Sequence, residues 1–269
     1  DADETWSFSG NVRDDFFRNV PDRSYGSKSS SHGTEVQGII AAESNNGKGI
    51  SGINWESDVV AIDVLDGNRG DQTPTVATAN MINHARSLGK KLVINMSFGG
   101  SGPIDPQLER LIASSQGDAL FVIAAGNDGR GSLSNPASLA AKYSNVVAVG
   151  ASLGTRTGSG WPVAPGTKAS YSNYGHGISL TAPSEVITTG ASPRGFGYSP
   201  KFNGTSAAAP HVAGVASLVW SVNDKLSAGT VKQVLMQTAT DLGARGYDRV
   251  YGSGIVNADA AVRRAMAMS

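Results

Sequence analysis

Short apolar runs rich in Val and Ile alternate with longer stretches of helical pattern along this chain, as parallel strands joined by crossover helices require. The strand runs are Val59 to Leu65, Lys91 to Met96, Ala119 to Ala125 and Val146 to Gly150, and they read as continuously apolar, so both faces must be covered. The expected fold is α/β, a doubly wound, mostly parallel sheet with helices on both faces. Thr73 to Leu88 sets Val76, Ala79, Met81, Ile82 and Ala85 on one broad helical face, and Asp105 to Ser115 follows a Gly-Pro turn. Ser206 to Val222 is dominated by Ala, Val and Leu and reads as a central buried helix. Ser227 has the position of an N-cap for a helix through Thr238, and a last helix begins near Asn257. Gly154 to Ser172, polar and containing Pro162 and Pro165, reads as a surface loop.

The chain of 269 residues, 39% apolar and 16% charged with 34 glycines, can close one large core, so a single domain over 1–269 is expected. Lys plus Arg and Asp plus Glu balance at 22 each, and no net field draws the chain to nucleic acid or to an acidic membrane. With no cysteine, thiol catalysis, disulfides and Cys-based zinc sites are excluded. No apolar run approaches the roughly 18 residues of a membrane span.

Four segments carry polar reactive groups beside small residues: Asp1-Ala2-Asp3, Ser31-His32-Gly33-Thr34, Ala124-Ala125-Gly126-Asn127 and Gly204-Thr205-Ser206-Ala207-Ala208-Ala209-Pro210. They supply an acid, a base, an amide and a hydroxyl, which are the parts nucleophilic acyl transfer needs. Ser206 opens a helix, where free N–H groups and the positive dipole end favour an oxyanion. Of the four histidines, His211 sits within the serine helix and is expected to pack there, and His84 and His176 look exposed. The order Asp, His, Asn, Ser without a Gly-x-Ser-x-Gly elbow argues against an α/β-hydrolase, and no Gly-x-Gly-x-x-Gly follows the first strand to cradle a dinucleotide.

These blocks resemble those of the subtilisin-like serine protease (subtilase) family. The resemblance is carried by His32-Gly33-Thr34, Ala124 to Asn127, and Gly204-Thr205-Ser206 followed by Pro210-His211-Val212-Ala213-Gly214. Supporting stretches are Val93 to Gly100, Asn135-Pro136-Ala137 and Gly252 to Asn257. It implies a serine endopeptidase with Ser206 as nucleophile, His32 as general base and Asn127 as oxyanion donor. Asp1 would be the acid, with Asp3 as the alternative, although the strand that usually precedes the family's Asp is not seen before it. Glu35 and Gln37 stand where the family commonly has His or an apolar residue, and Glu35 would alter the base's pKa or pair with a loop. A silent binding module and a transpeptidase or macrocyclase share the fold and stay open as alternatives.

The resemblance also implies an extended protein or peptide substrate lying against Ser97-Phe98-Gly99-Gly100, with a side-chain pocket beside Ala125, Gly126, Asp128 and Ser134. An acidic Asp128 would favour Lys or Arg before the scissile bond. Ser44 to Gly49 resembles the family's calcium loop in length, which makes calcium the one cofactor expected, with Asn46 as ligand. A pro-segment as partner and a secreted or cell-envelope setting follow from family habit.

Overall fold

Strands β1 (Thr5–Trp6) and β2 (Val59–Val60) form a parallel pair. β3 (Leu92–Met96), β4 (Ala119–Ala124), β5 (Val146–Ser152) and β6 (Leu180–Pro183) form a four-stranded parallel sheet in that order. β7 (Val186–Ser192) and β8 (Gly195–Phe202) make an antiparallel hairpin. The protein is seen as a computed structural model that describes residues 32–62, 64, 73–156, 160–192 and 195–268 and the backbone of Thr5 and Trp6.

The alternation in the sequence becomes a sandwich with β4 and β5 at its centre, every residue of both strands being buried. Successive side chains point to opposite faces of a strand. Ala119, Phe121 and Ile123 therefore pack with Ile82 of helix α2 (Pro74–Ser87) and with Leu108 and Ile112 of α3 (Pro106–Ser114). Leu120, Val122 and Ala124 meet Val212 and Val219 of α4 (Thr205–Val222), and Val231 and Leu235 of α5 (Ala228–Gln237). Ala261 and Ala265 of α6 (Ala258–Met266) join that second layer. Both faces are covered, hence continuous apolar sequence where a half-exposed sheet would alternate. Emptying this centre, as in Phe121→Ala, costs about 3 to 5 kcal/mol. Helix α1 (His32–Ala41) packs on α4 and on the hairpin.

Helix starts follow the capping residues. Thr73 accepts from the Val76 N–H at 3.3 Å, Asp105 from Gln107 at 2.8 Å, Ser227 from Thr230 at 3.1 Å and Asn257 from Ala260 at 3.0 Å. Pro74 and Pro106 follow two of these caps at the first helical position, where a missing N–H costs nothing.

One sequence expectation changes, and three strands go beyond those read from the sequence. The strand expected over Val59 to Leu65 is observed only at Val59–Val60, both half-buried; 61, 62 and 64 lie outside any strand, and 63 and 65 fall outside the described residues. β6 to β8 carry no apolar periodicity: Thr181 and Thr188 are fully buried polar residues, and β8 mixes Gly, Ser, Pro and Lys. Gly154 to Ser172 is irregular where described, closed by the bridges Arg156 to Pro162 and Ser152 to Lys168. No helix among the described residues is long and apolar enough to cross a membrane.

Candidate active site

Helix α4 crosses the sheet, touches β3 to β6, and presents Ser206 in its first turn. Gly204 and Thr205 are buried and Ser206 is half-buried, so the chain surfaces at the hydroxyl. Pro210 lies inside this helix. Having no N–H, it cannot bond the carbonyl four residues back, which is that of Ser206. The Ser97 hydroxyl takes over, donating to the Ser206 carbonyl at 2.9 Å, while the Ser206 hydroxyl donates to the Ser97 carbonyl at 3.0 Å. Asn95 Nδ2 donates to Ser97 Oγ at 2.9 Å and holds it in place. The end of β3 is thus locked to the start of α4 through a gap that proline created.

Asn127, just beyond β4, is exposed. Its Oδ1 accepts from the Thr205 N–H at 2.8 Å and from the Thr205 hydroxyl at 2.9 Å. Two donors converging on one atom settle which end of the amide is oxygen. The Thr205 hydroxyl in turn accepts from the Gly126 N–H at 3.1 Å. Thr205, fully buried, ties the ends of two elements together.

His32 begins α1, half-buried, with its ring edge-on to Phe202 at 5.4 Å and 79°. Phe202 packs in one cluster with Ala207 of the first turn of α4, which sets the imidazole toward that end of the helix. The rest of α1 is pinned by the hairpin: Thr189 Oγ1 donates to the Thr34 carbonyl at 2.7 Å and Thr188 Oγ1 to the Glu35 carbonyl at 2.7 Å. Gly38 makes this approach feasible, since a Cβ there would stand 2.0 Å from Thr189 Oγ1. Burial lowers the His32 pKa from its ordinary value, and the Glu35 carboxylate opposes that shift by favouring the charged ring. The neutral form prevails at neutral pH. His211 is half-buried with its ring nitrogen 2.8 Å from the Ala207 carbonyl and packs within α4 as expected. His176 is exposed and His84 half-buried.

Phe98 is half-buried and Gly99 and Gly100 are exposed. Gly100 exchanges both backbone hydrogen bonds with Asn135, at 2.9 and 2.8 Å. The Gly99 carbonyl, in the same trans peptide as the Gly100 N–H, points away from Asn135. Gly100, Ser101, Asp128, Arg130, Ser132, Leu133, Ser134, Asn135 and Asn173 line a cavity of ≈ 210 Å³. Asn173, 2% exposed, organises it. Its Oδ1 accepts from the N–H groups of Asp128 at 2.9 Å and Arg130 at 3.0 Å, and its amide donates to Ser134 Oγ at 3.2 Å and Asp128 Oδ2 at 3.4 Å. Arg130 also pairs with Asp128 at 3.5 Å.

Hydrogen bonds join Ser97 to Ser206, Gly126 and Asn127 to Thr205, Ala125 to Ser134, Gly100 to Asn135, and Asp128 to Ser134 through Asn173, so these candidate residues stand together, and the His32 helix packs on α4. Asp1 and Asp3 lie outside the described residues. Asn46 does not fit a calcium ligand: its Oδ1 accepts from the Lys48 N–H at 2.9 Å in an exposed turn beside a cationic side chain. Among the described residues no group of three His, Asp or Glu comes together. Sequence reasoning missed Thr205 and Asn173. Pro210, whose absent N–H leaves a carbonyl to be satisfied, was the readable signal for the Ser97 lock.

A parallel α/β layer that offers a serine at the mouth of its central helix, with an asparagine and a histidine alongside, is the architecture of the subtilisin-like class. The profile of the subtilase family matches residues 7–254, and the chain belongs to that family. It is 38% identical over 88% of its length to an extracellular protease of Xanthomonas campestris pv. campestris, of which it spans 41%. It is 36% identical over 86% of its length to subtilisin Savinase of Lederbergia lenta, of which it spans 77%. Among solved structures, a protease from Pseudoalteromonas arctica superimposes with a TM-score of 0.70 at 32% identity, over 87% of this chain and 70% of that one.

Proposed function

We propose that this domain hydrolyses peptide bonds of protein or peptide substrates through an acyl-enzyme on Ser206. His32 takes the Ser206 proton as Oγ bonds to the scissile carbonyl carbon, and returns it to the leaving amine as the C–N bond breaks. Water then attacks the ester with His32 again as base, and the Ser206 hydroxyl is restored. Asn127 Nδ2 and the Ser206 backbone N–H hold the oxyanion in both steps. Asp1, with Asp3 as its alternative, is the carboxylate assigned to orient the imidazole. The observation that carries this reading is the double hydrogen bond at Asn127 Oδ1, which commits the other end of the amide to donate beside Ser206. Before attack the Ser206 hydroxyl must turn about χ1 from the Ser97 carbonyl toward His32.

The substrate pairs as an extended strand with Gly99, and the side chain before the scissile bond enters the cavity beside Ser134. Asp128 points there, but Arg130 and Asn173 already occupy it. We infer a neutral hydrogen-bonding side chain at that position rather than Lys or Arg. The name of the Xanthomonas relative supports secretion as the setting.

The test is reaction with a fluorophosphonate probe and a quenched peptide, each with the parent chain and with Ser206→Ala. Labelling at Ser206 and hydrolysis, with products that together gain the mass of one water, are expected. An unlabelled folded parent would reduce the domain to a silent binding module, and ligated products without added water would make it a transpeptidase.

A further inference from the structure

Beside the candidate site, three residues close a small ring of hydrogen bonds. The Gly204 N–H donates to the Tyr171 hydroxyl at 3.4 Å, the Tyr171 and Ser184 hydroxyls are 2.9 Å apart, and Ser184 Oγ donates to the Gly204 carbonyl at 3.0 Å. Each hydroxyl has one proton. Since Ser184 spends its proton on Gly204, the proton between the two hydroxyls must come from Tyr171. The ring thus runs one way, out from the N–H of Gly204 and back to its C=O, with each bond polarising the next.

Gly204 is the hinge on which the serine turns. It has φ 86° and ψ 168°, and a Cβ there would stand 3.1 Å from Asn127 Nδ2, so no side chain helps to anchor it. Its carbonyl shares one planar peptide with the Thr205 N–H. Ser184 and the Ala207 N–H, each at 3.0 Å, hold one end of that plane, and Asn127 Oδ1 accepts from the other at 2.8 Å. Fixing the plane fixes the direction in which Asn127 presents its amide and α4 presents Ser206. Ser184 is 3% exposed and Tyr171 half-buried, so water competes little for the ring. Burial raises the Tyr171 pKa above its ordinary value, which keeps the phenol a donor into alkaline pH.

We propose that Tyr171 and Ser184 are positioning residues that set the Gly204–Thr205 peptide, and through it Asn127 and Ser206, for catalysis. This rests on the acyl-enzyme reading above. The experiment compares the parent chain with Tyr171→Phe, Ser184→Ala and the double variant in kcat, KM, rate of fluorophosphonate labelling and melting temperature. Tyr171→Phe keeps the ring's packing and removes only the hydroxyl. Its kcat and labelling rate are expected to fall about tenfold, the size of one hydrogen bond felt at the transition state, with KM and melting temperature close to the parent. Ser184→Ala should do the same, and the double variant should lose no more than the worse single one, because both act through one ring. A labelled parent with kcat in Tyr171→Phe within about twofold of it overturns the ring's role. So does a loss carried wholly by KM or by melting. An unlabelled parent overturns the acyl-enzyme reading itself and the ring's role with it.

Discussion

The serine half and the histidine half of the site are held by different means. Ser206 and Asn127 sit where three buried elements end together, and side-chain hydrogen bonds from Asn95, Ser97 and Thr205 join those ends directly. His32 sits at the first residue of a helix whose hold on the hairpin is two threonine hydroxyls reaching its backbone, with one aromatic edge against the ring itself. The Ser206 and Asn127 end is built on the core. The base is carried on a separate element docked against it, so its position depends on tertiary contacts that can be loosened without unfolding the sheet. Active-site groups on docked elements are drawn from the less stable end of a fold.

The largest expected effect tests the serine half. Ser206→Ala should lower kcat on a quenched peptide by about a million-fold, a magnitude borrowed from subtilisins, with the fold intact by circular dichroism. Asn127→Ala should cost about 100- to 1,000-fold in kcat with little change in KM, again on the subtilisin scale; a loss confined to KM would move Asn127 from the oxyanion to substrate binding. On the histidine half, Thr188→Val with Thr189→Val keeps volume and removes both ties to α1. That pair should lower kcat by about tenfold and shift melting by a few degrees at most. A larger drop in melting temperature than in rate would make the hairpin part of the core and erase the contrast between the halves.

The pH profile sharpens the same contrast. Because burial lowers the His32 pKa, the acid limb of kcat/KM should lie below the ordinary imidazole value. Glu35 opposes the shift, so Glu35→Gln should move the limb to still lower pH, and a move upward would contradict the sign. The linkage runs the same way. The unfolded chain takes up protons at a pH where the folded ring resists them, so the neutral, half-buried His32 contributes stability above the imidazole range that is lost as pH falls through it. The smallest effect concerns the pocket. Arg130→Ala frees Asp128 and should raise kcat/KM for a peptide with Lys before the scissile bond by about two- to fivefold, as expected for an exposed pair.

The sheet was legible because its cause is written in every residue of β4 and β5. Burial on both faces demands apolar side chains throughout, and the same demand makes α4 mostly apolar. The hairpin was not legible. Thr188, buried, and Thr189, half-buried, bond the carbonyls of α1, a partner more than 150 residues away in sequence. The same holds for Asn173, which reads as one more polar residue at the end of a surface loop until the loop at Asp128 folds around it.

By itself the sequence determined the layered α/β plan and the identity of the groups that can do chemistry, since a hydroxyl before a buried helix, an amide after a strand and an imidazole opening a helix are local facts. Which oxygen each hydroxyl bonds, how far Arg130 masks Asp128, and why Asn46 serves a turn were decided only in three dimensions. Hydrogen bonds are short and directional, and the partners that satisfy a buried polar atom come from wherever the chain happens to return.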